Sequence, residues 1–168
     1  MARLMDVSIE TKEICDKWLL ITYDIPHTEE GDRARREFLD NARLIGATKH
    51  TESVYLMPWT GEAEILALNL SGTKGGRVCL WTSQPTDTEL AEDITKTYDA
   101  SLRPQINEIG VRLDKIVAHQ DAGHELRAEQ MLIKTKLMLD GMEKAVVRRG
   151  SAQLYVLITL LKRRLEAV

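Results

Sequence analysis

Aromatic residues are scarce in this chain, at 5% of 168 positions with a single phenylalanine, and cysteine occurs only twice. Cys15 and Cys79 are too few and too far apart for a zinc motif or a disulfide framework, so they read as unpaired thiols. No uninterrupted apolar run reaches membrane-spanning length, and the first residues, MARLMDVSIETKEICDK, contain no apolar core of a signal peptide. The expectation is a cytoplasmic protein with no membrane partner. A formal net charge of −3 lacks the excess of basic residues typical of a nucleic-acid binder, although a local basic face would escape that sum. What remains, 43% hydrophobic and 29% charged residues, is the composition of a globular chain with no low-complexity bias. At this length one domain, or a small domain with a helical appendage, is expected.

The stretch Lys17-Trp-Leu-Leu-Ile-Thr-Tyr-Asp-Ile-Pro26 organises the first half of the chain. Its continuous apolar run, stopped by a proline that has no backbone N–H to donate, predicts a central strand buried on both faces. Trp18, Leu20, Thr22 and Asp24 share one face, and Leu19, Ile21, Tyr23 and Ile25 the other. Asp24 thus arrives at the end of a buried strand, where sheet meets solvent.

Residues 27–46 predict a helix with Thr28 as N-cap, acidic residues in its first turn, an apolar stripe of Ala34, Phe38, Ala42 and Ile45, and Gly46 just past its end. Thr48 to Trp59 is one bent strand or a hairpin, closed by Pro58. Gly61 to Leu70 reads as a helix, Ser71 to Gly76 as its break, and Arg77 to Thr82 as the last strand. The order β-α-β(β)-α-β is the split βαβ, ferredoxin-like plan, an α+β fold with helices on one face of an antiparallel sheet. The expected organisation is an N-terminal arm at 1–16, a ferredoxin-like βαββαβ domain at 17–85 and an all-α C-terminal extension at 86–168.

Both faces of the strands are apolar, so either a second subunit, in a homodimer, or residues 86–168 are expected to cover the open face. In the extension, Thr86-Asp-Thr-Glu89 has the form of a capping box, followed by Leu90, Ile94, Tyr98 and Leu102 at helical spacing. Pro104 is expected to kink or restart this helix, whose stripe continues through Ile106, Ile109, Leu113, Ile116 and Val117. Gly123 marks a break. A helix from about His124 through Met142 carries Leu126, Ile133, Leu137 and other apolar residues, and a last one, Ala152 to Ala167, is apolar on more than one side.

Ile21-Thr-Tyr-Asp-Ile-Pro26, the basic run Asp32-Arg-Ala-Arg-Arg36 and the strand Glu52-Ser-Val-Tyr-Leu56 resemble the small CRISPR-associated proteins of the spacer-acquisition complex. The resemblance covers residues 17–83 and implies a ferredoxin-like homodimer in which Asp24 matches a metal-associated aspartate. Those proteins are much shorter and have no counterpart of residues 86–168. Trp18-Leu-Leu20, Val54-Tyr-Leu-Met-Pro58, Asp87-Thr-Glu-Leu90 and Tyr98-Asp99 are similar to the N-terminal domain of chromate-resistance regulatory proteins, and this likeness reaches into the helical half. That family usually lacks aspartate at the position of Asp24. The Tyr-Asp-Ile-Pro and Ser-Val pieces also resemble the middle domain of phenylacetate-type repressors, whose winged-helix region has no match here. A shared fold does not choose among these functions.

The first resemblance implies a metal-dependent nuclease acting on DNA or RNA, or an inactive relative, with Asp24 as catalytic residue and Mg²⁺ ligand. A hard cation takes carboxylate oxygens and keeps its waters, and a dimer supplies one Asp24 from each subunit. The competing reading is that Asp24 caps the turn that follows it. Asp16, Asp32 and Glu52 are further carboxylates that nothing in the sequence places nearby. Arg33, Arg35 and Arg36 suit contact with a phosphate backbone, and equally suit a solvated helix face paired with Glu29, Glu30 and Glu37. His119, Asp121 and His124 lack the spacing of a zincin-type helix, Ser53 lacks a nucleophile elbow, and Gly72 to Gly76 lacks the spacing of a phosphate-binding loop. The second resemblance implies a regulatory or sensor domain in which Asp24 is structural and the helices carry a ligand pocket or docking surface. A non-catalytic assembly subunit is the third possibility.

Overall fold

A computed structural model describes residues 15–72 and 75–168, so the arm expected at 1–16 falls almost wholly outside the described residues. The strands are β1 (Trp18–Asp24), β2 (Thr48–Thr51), β3 (Val54–Pro58) and β4 (Arg77–Ser83). The helices are α1 (Glu29–Leu44), α2 (Gly61–Leu68), α3 (Thr88–Asp121), α4 (Glu125–Arg149) and α5 (Ala152–Glu166). The strands form one four-stranded antiparallel sheet in the order β2-β3-β1-β4, with Leu20 opposite Leu56 on one side and Trp81 on the other. Residues 48–59 are therefore a hairpin.

Local chemistry sets the helix starts. Thr28, Thr60, Asp87 and Ser151 stand in extended backbone, and each side chain accepts a hydrogen bond from the backbone N–H three residues on. The cap of α3 is Asp87 rather than Thr86, because its carboxylate reaches the N–H of Leu90 at 2.8 Å and is the stronger acceptor. Pro104 neither ends nor restarts α3, which runs through it. The ring lies on the exposed side of the helix, where the lost backbone bond is replaced by water. Helix α4 extends past Met142 to Arg149 and stops at Gly150, whose φ of +68° provides the left-handed cap.

Leu19, Ile21, Tyr23, Tyr55 and Met57 face α1, where Phe38 packs on Tyr23 with ring centroids 4.6 Å apart and edge-on to Tyr55 at 5.7 Å. Among the described residues the opposite face is only partly covered. At one end Trp18 meets Tyr98 of α3 edge-to-face at 5.3 Å, and Trp18, Leu56 and Thr48 are buried. Further along, Leu20, Thr22 and Cys79 are half-buried, and Trp81 remains 58% exposed with its indole N–H on the Thr22 hydroxyl at 3.1 Å. Residues 86–168 thus cover one end of this face rather than all of it.

One cluster of buried side chains runs from Trp18, Ile21 and Phe38 through Tyr98, Leu102 and Ile109 to Leu139, Met142 and Leu154. Helix α4 turns only part of its apolar surface inward. Ala128, Thr135, Met138, Leu139, Met142 and Val146 are buried, whereas Leu126, Ile133 and Leu137 point outward. On α5, Leu154, Ile158 and Leu161 are buried and Val156 and Leu160 exposed, so only one side of this apolar helix is used. No helix among the described residues is long and apolar enough to cross a membrane.

Candidate functional site

The residues around Asp24 come from two connections brought side by side by the pairing of β1 with β3. One is the segment Tyr23 to His27, and the other is the tip of the β2–β3 hairpin. The Tyr23 N–H donates to the Ser53 carbonyl at 3.1 Å and its hydroxyl to the Glu52 carbonyl at 2.7 Å, which pins the hairpin tip beside the end of β1. Between them lies a cleft of about 350 Å³ lined by Asp24, His27, Arg35, Lys49, Glu52 and Ser53, among others. Asp24 is exposed and stands opposite Arg77 of β4 in the sheet register.

Arg35 is the expected basic residue that reaches this cleft. Its guanidinium donates to the Ile25 carbonyl at 2.7 Å and to the Asp32 carboxylate at 2.8 Å, so it clamps the β1–α1 connection to the first turns of α1. Arg33 is exposed, and Arg36, also exposed, donates to the Asp32 carbonyl at 3.2 Å. The three arginines therefore do not form one surface: one is used inside the fold and two stand in solvent.

The cleft is lined by charges of both signs. Asp24 and Glu52 are the carboxylates of the cleft, and Arg35 and Lys49 line it with opposing positive charge. Among the described residues no three His, Cys, Asp or Glu side chains converge on a common point. Mg²⁺ is commonly held by one or two carboxylates and keeps several of its waters, and Asp24 and Glu52 are the side chains of this cleft with carboxylate oxygens to offer. Asp16 lies before β1, at its other end, and Asp32 is engaged with Arg35.

His27, Lys49 and Ser53 were not readable as neighbours of Asp24. Only the antiparallel pairing of β3 beside β1, with β2 outside it, brings the hairpin tip to that end of the sheet. His119 and His124 do meet, with ring centroids 5.7 Å apart at the α3–α4 turn, but among the described residues no acid or thiol joins them as a third ligand.

A second group of interactions, at the opposite end of β1, ties the helical half to the sheet. The Tyr98 hydroxyl donates to the Gly46 carbonyl at 2.7 Å, and the Arg148 guanidinium donates to the neighbouring carbonyl of Ile45. Burial pushes the Tyr98 hydroxyl pKa well above the ordinary tyrosine value and pulls that of Arg148 down. Arg149, 4% exposed, grips the Asp99 carboxylate with two bonds of 2.9 Å, from Nε and from Nη2. Helix α4 comes close here because Gly141 faces the Leu44 carbonyl and Ala145 faces Gly46, whose φ is +78°. No family model matches the chain, and no curated protein matches it.

Proposed function

We propose that the chain is a regulatory or sensor domain of the chromate-resistance type, built on the ferredoxin-like plan with an all-α extension. The element order β1-α1-β2-β3-α2-β4 and the strand order β2-β3-β1-β4 support that plan. The observation that carries the functional reading is the use made of Tyr98 and Asp99. These two residues carry the likeness into the helical half, and they are the ones that join α3 to the Gly46 turn and to α4. A helical half tied in this way transmits a change at its own surface to the sheet, as a sensor requires. Asp24 then serves the local structure at the end of β1.

Two measurements test the reading. A strain lacking the gene is expected to lose its normal tolerance of chromate, and the purified chain is expected to show no Mg²⁺-dependent cleavage of DNA or RNA. Unchanged tolerance overturns it. Cleavage that disappears in Asp24→Asn overturns it in favour of the second reading, a nucleic-acid-associated protein of the CRISPR spacer-acquisition type.

That second reading is favoured by the cleft itself, in which Arg35 and Lys49 share the lining with Asp24. It requires a homodimer in which a second Asp24 completes the Mg²⁺ ligand set. Salt-sensitive binding of DNA or RNA by the purified chain is its necessary sign.

A further inference from the structure

The groove between α1 and the α3–α4 pair is a cavity of about 450 Å³, within the range of small-molecule sites and separate from the Asp24 cleft. Its floor is made by Leu44, Leu137, Met138 and Met142. Met138 and Met142 are buried, and their unbranched thioethers adapt to an apolar guest of varied shape. Leu137, by contrast, is 57% exposed at the mouth, an apolar surface that a guest would remove from water.

The rim supplies the polar contacts. Arg112 is taken by Glu108 at 2.9 Å on its own helix. Arg43 makes no ion pair and no side-chain hydrogen bond among the described residues, and Lys134 has only Asp40, at 3.8 Å. Two cations, Arg43 from α1 and Lys134 from α4, are thus available over an apolar floor, with Asn41 as a neutral donor beside them. Glu37 and Asp40 share the rim, so charge alone gives any anion little, and a compact inorganic one would leave the floor unused. The Asp40–Lys134 approach spans the groove from helix to helix and bars a third helix.

We infer that this groove binds a small amphipathic organic anion, its carboxylate on Arg43 and Lys134 and its apolar body on Met138 and Met142. Burial of the apolar body supplies most of the affinity, and the two cations fix the orientation. The inference deepens the regulatory reading and rests on it for the role of the ligand. Because the groove joins α1 to α4, a bound guest would tighten the same contact that Gly141 and Ala145 make.

The test is a titration of the full chain with decanoate, followed through the methyl NMR signals of Met138 and Met142. Saturable shifts of both signals are expected. Arg43→Met and Lys134→Met, both at exposed positions, are each expected to weaken decanoate by roughly tenfold, the scale of one charge-assisted hydrogen bond, and to leave 1-decanol unaffected. Methyl signals that do not move up to about 1 mM decanoate overturn the inference, as do variants that bind it like the parent. Sulfate that shifts the same signals as tightly as decanoate also overturns it, in favour of an inorganic anion. Decanoate binding with unchanged chromate tolerance keeps the ligand site and removes the regulatory role. Silent methyl signals with altered tolerance do the reverse.

Discussion

The Tyr98 hydroxyl donates to the Gly46 carbonyl at 2.7 Å, across 52 residues of sequence and from a completely buried position. Its ring meanwhile packs on Trp18, so one side chain binds both the first strand and the turn after α1. Tyr98→Phe keeps the ring contact and leaves the Gly46 carbonyl without this donor. We expect a loss of about 1–2 kcal/mol in urea unfolding, and a larger loss for Tyr98→Ala, which removes the ring as well.

The same residue gives stability a pH dependence in alkali. The hydroxyl is neutral in the native state to a higher pH than in the unfolded chain, because burial raises its folded pKa. The stabilisation is therefore fully present below the ordinary tyrosine range. It is lost as pH climbs above that range, where the unfolded chain has released the proton and the native state still holds it. The slope expected from Tyr98 is about 1.4 kcal/mol per pH unit. Tyr98→Phe should flatten the curve of unfolding free energy against pH; an unchanged slope would refute the assignment.

Arg149 is buried and paired in two-pronged fashion with Asp99. Asp99→Ala removes a two-pronged partner of a buried guanidinium and is expected to cost about 1.5–3 kcal/mol, the scale of hydrogen bonds to a charged group. Combining it with Arg149→Met should cost less than the sum of the single changes, since the guanidinium itself is removed too. A double-mutant cycle in guanidinium chloride reads this coupling.

Glycine to alanine usually stabilises a helix interior by about 1 kcal/mol. At Gly110 of α3 the new methyl group would meet Leu161 at an ordinary 3.5 Å, so Gly110→Ala should raise the melting temperature. At Gly141 of α4 it would run into the Leu44 carbonyl oxygen, so Gly141→Ala should lower it. The opposite signs, measured by thermal unfolding, report how closely α4 approaches α1.

Leu126 is 71% exposed and Leu139 1% exposed on the same helix. Leu126→Ser is expected to change stability by no more than about 0.5 kcal/mol, whereas Leu139→Ala should cost about 2–5 kcal/mol. Circular dichroism melts of the two variants separate them.

That contrast shows where sequence reading stops. The spacing of Leu126, Ile133 and Leu137 marks an apolar stripe, but α4 carries several apolar and small residues around its circumference. Which stripe turns inward depends on the partner surface. The partners are α3, α5 and the end of α1, and the side bearing Gly141 and Ala145 is shallow enough for the Leu44 carbonyl and the Gly46 backbone to fit against it. Arg35 is a similar case. Its position in a basic run suggests a phosphate contact, but the turn after Pro26 folds back and presents the Ile25 carbonyl to it.

What the sequence by itself determined is local. Whereas residues 48–59 read equally as one bent strand until their pairing is seen, Pro26 and the apolar run before it end β1 at Asp24, and Thr28 caps α1. These features depend on backbone geometry and on neighbours a few residues away, which composition and spacing encode. Tertiary structure decided the rest: that His27, Lys49, Glu52 and Ser53 surround Asp24, that Tyr98 and Arg148 hold the turn after α1, and that the helical half covers only one end of the second sheet face. Each of those depends on contacts between distant segments, whose free energy comes from packing and desolvation summed over both partners and is not written in either segment alone.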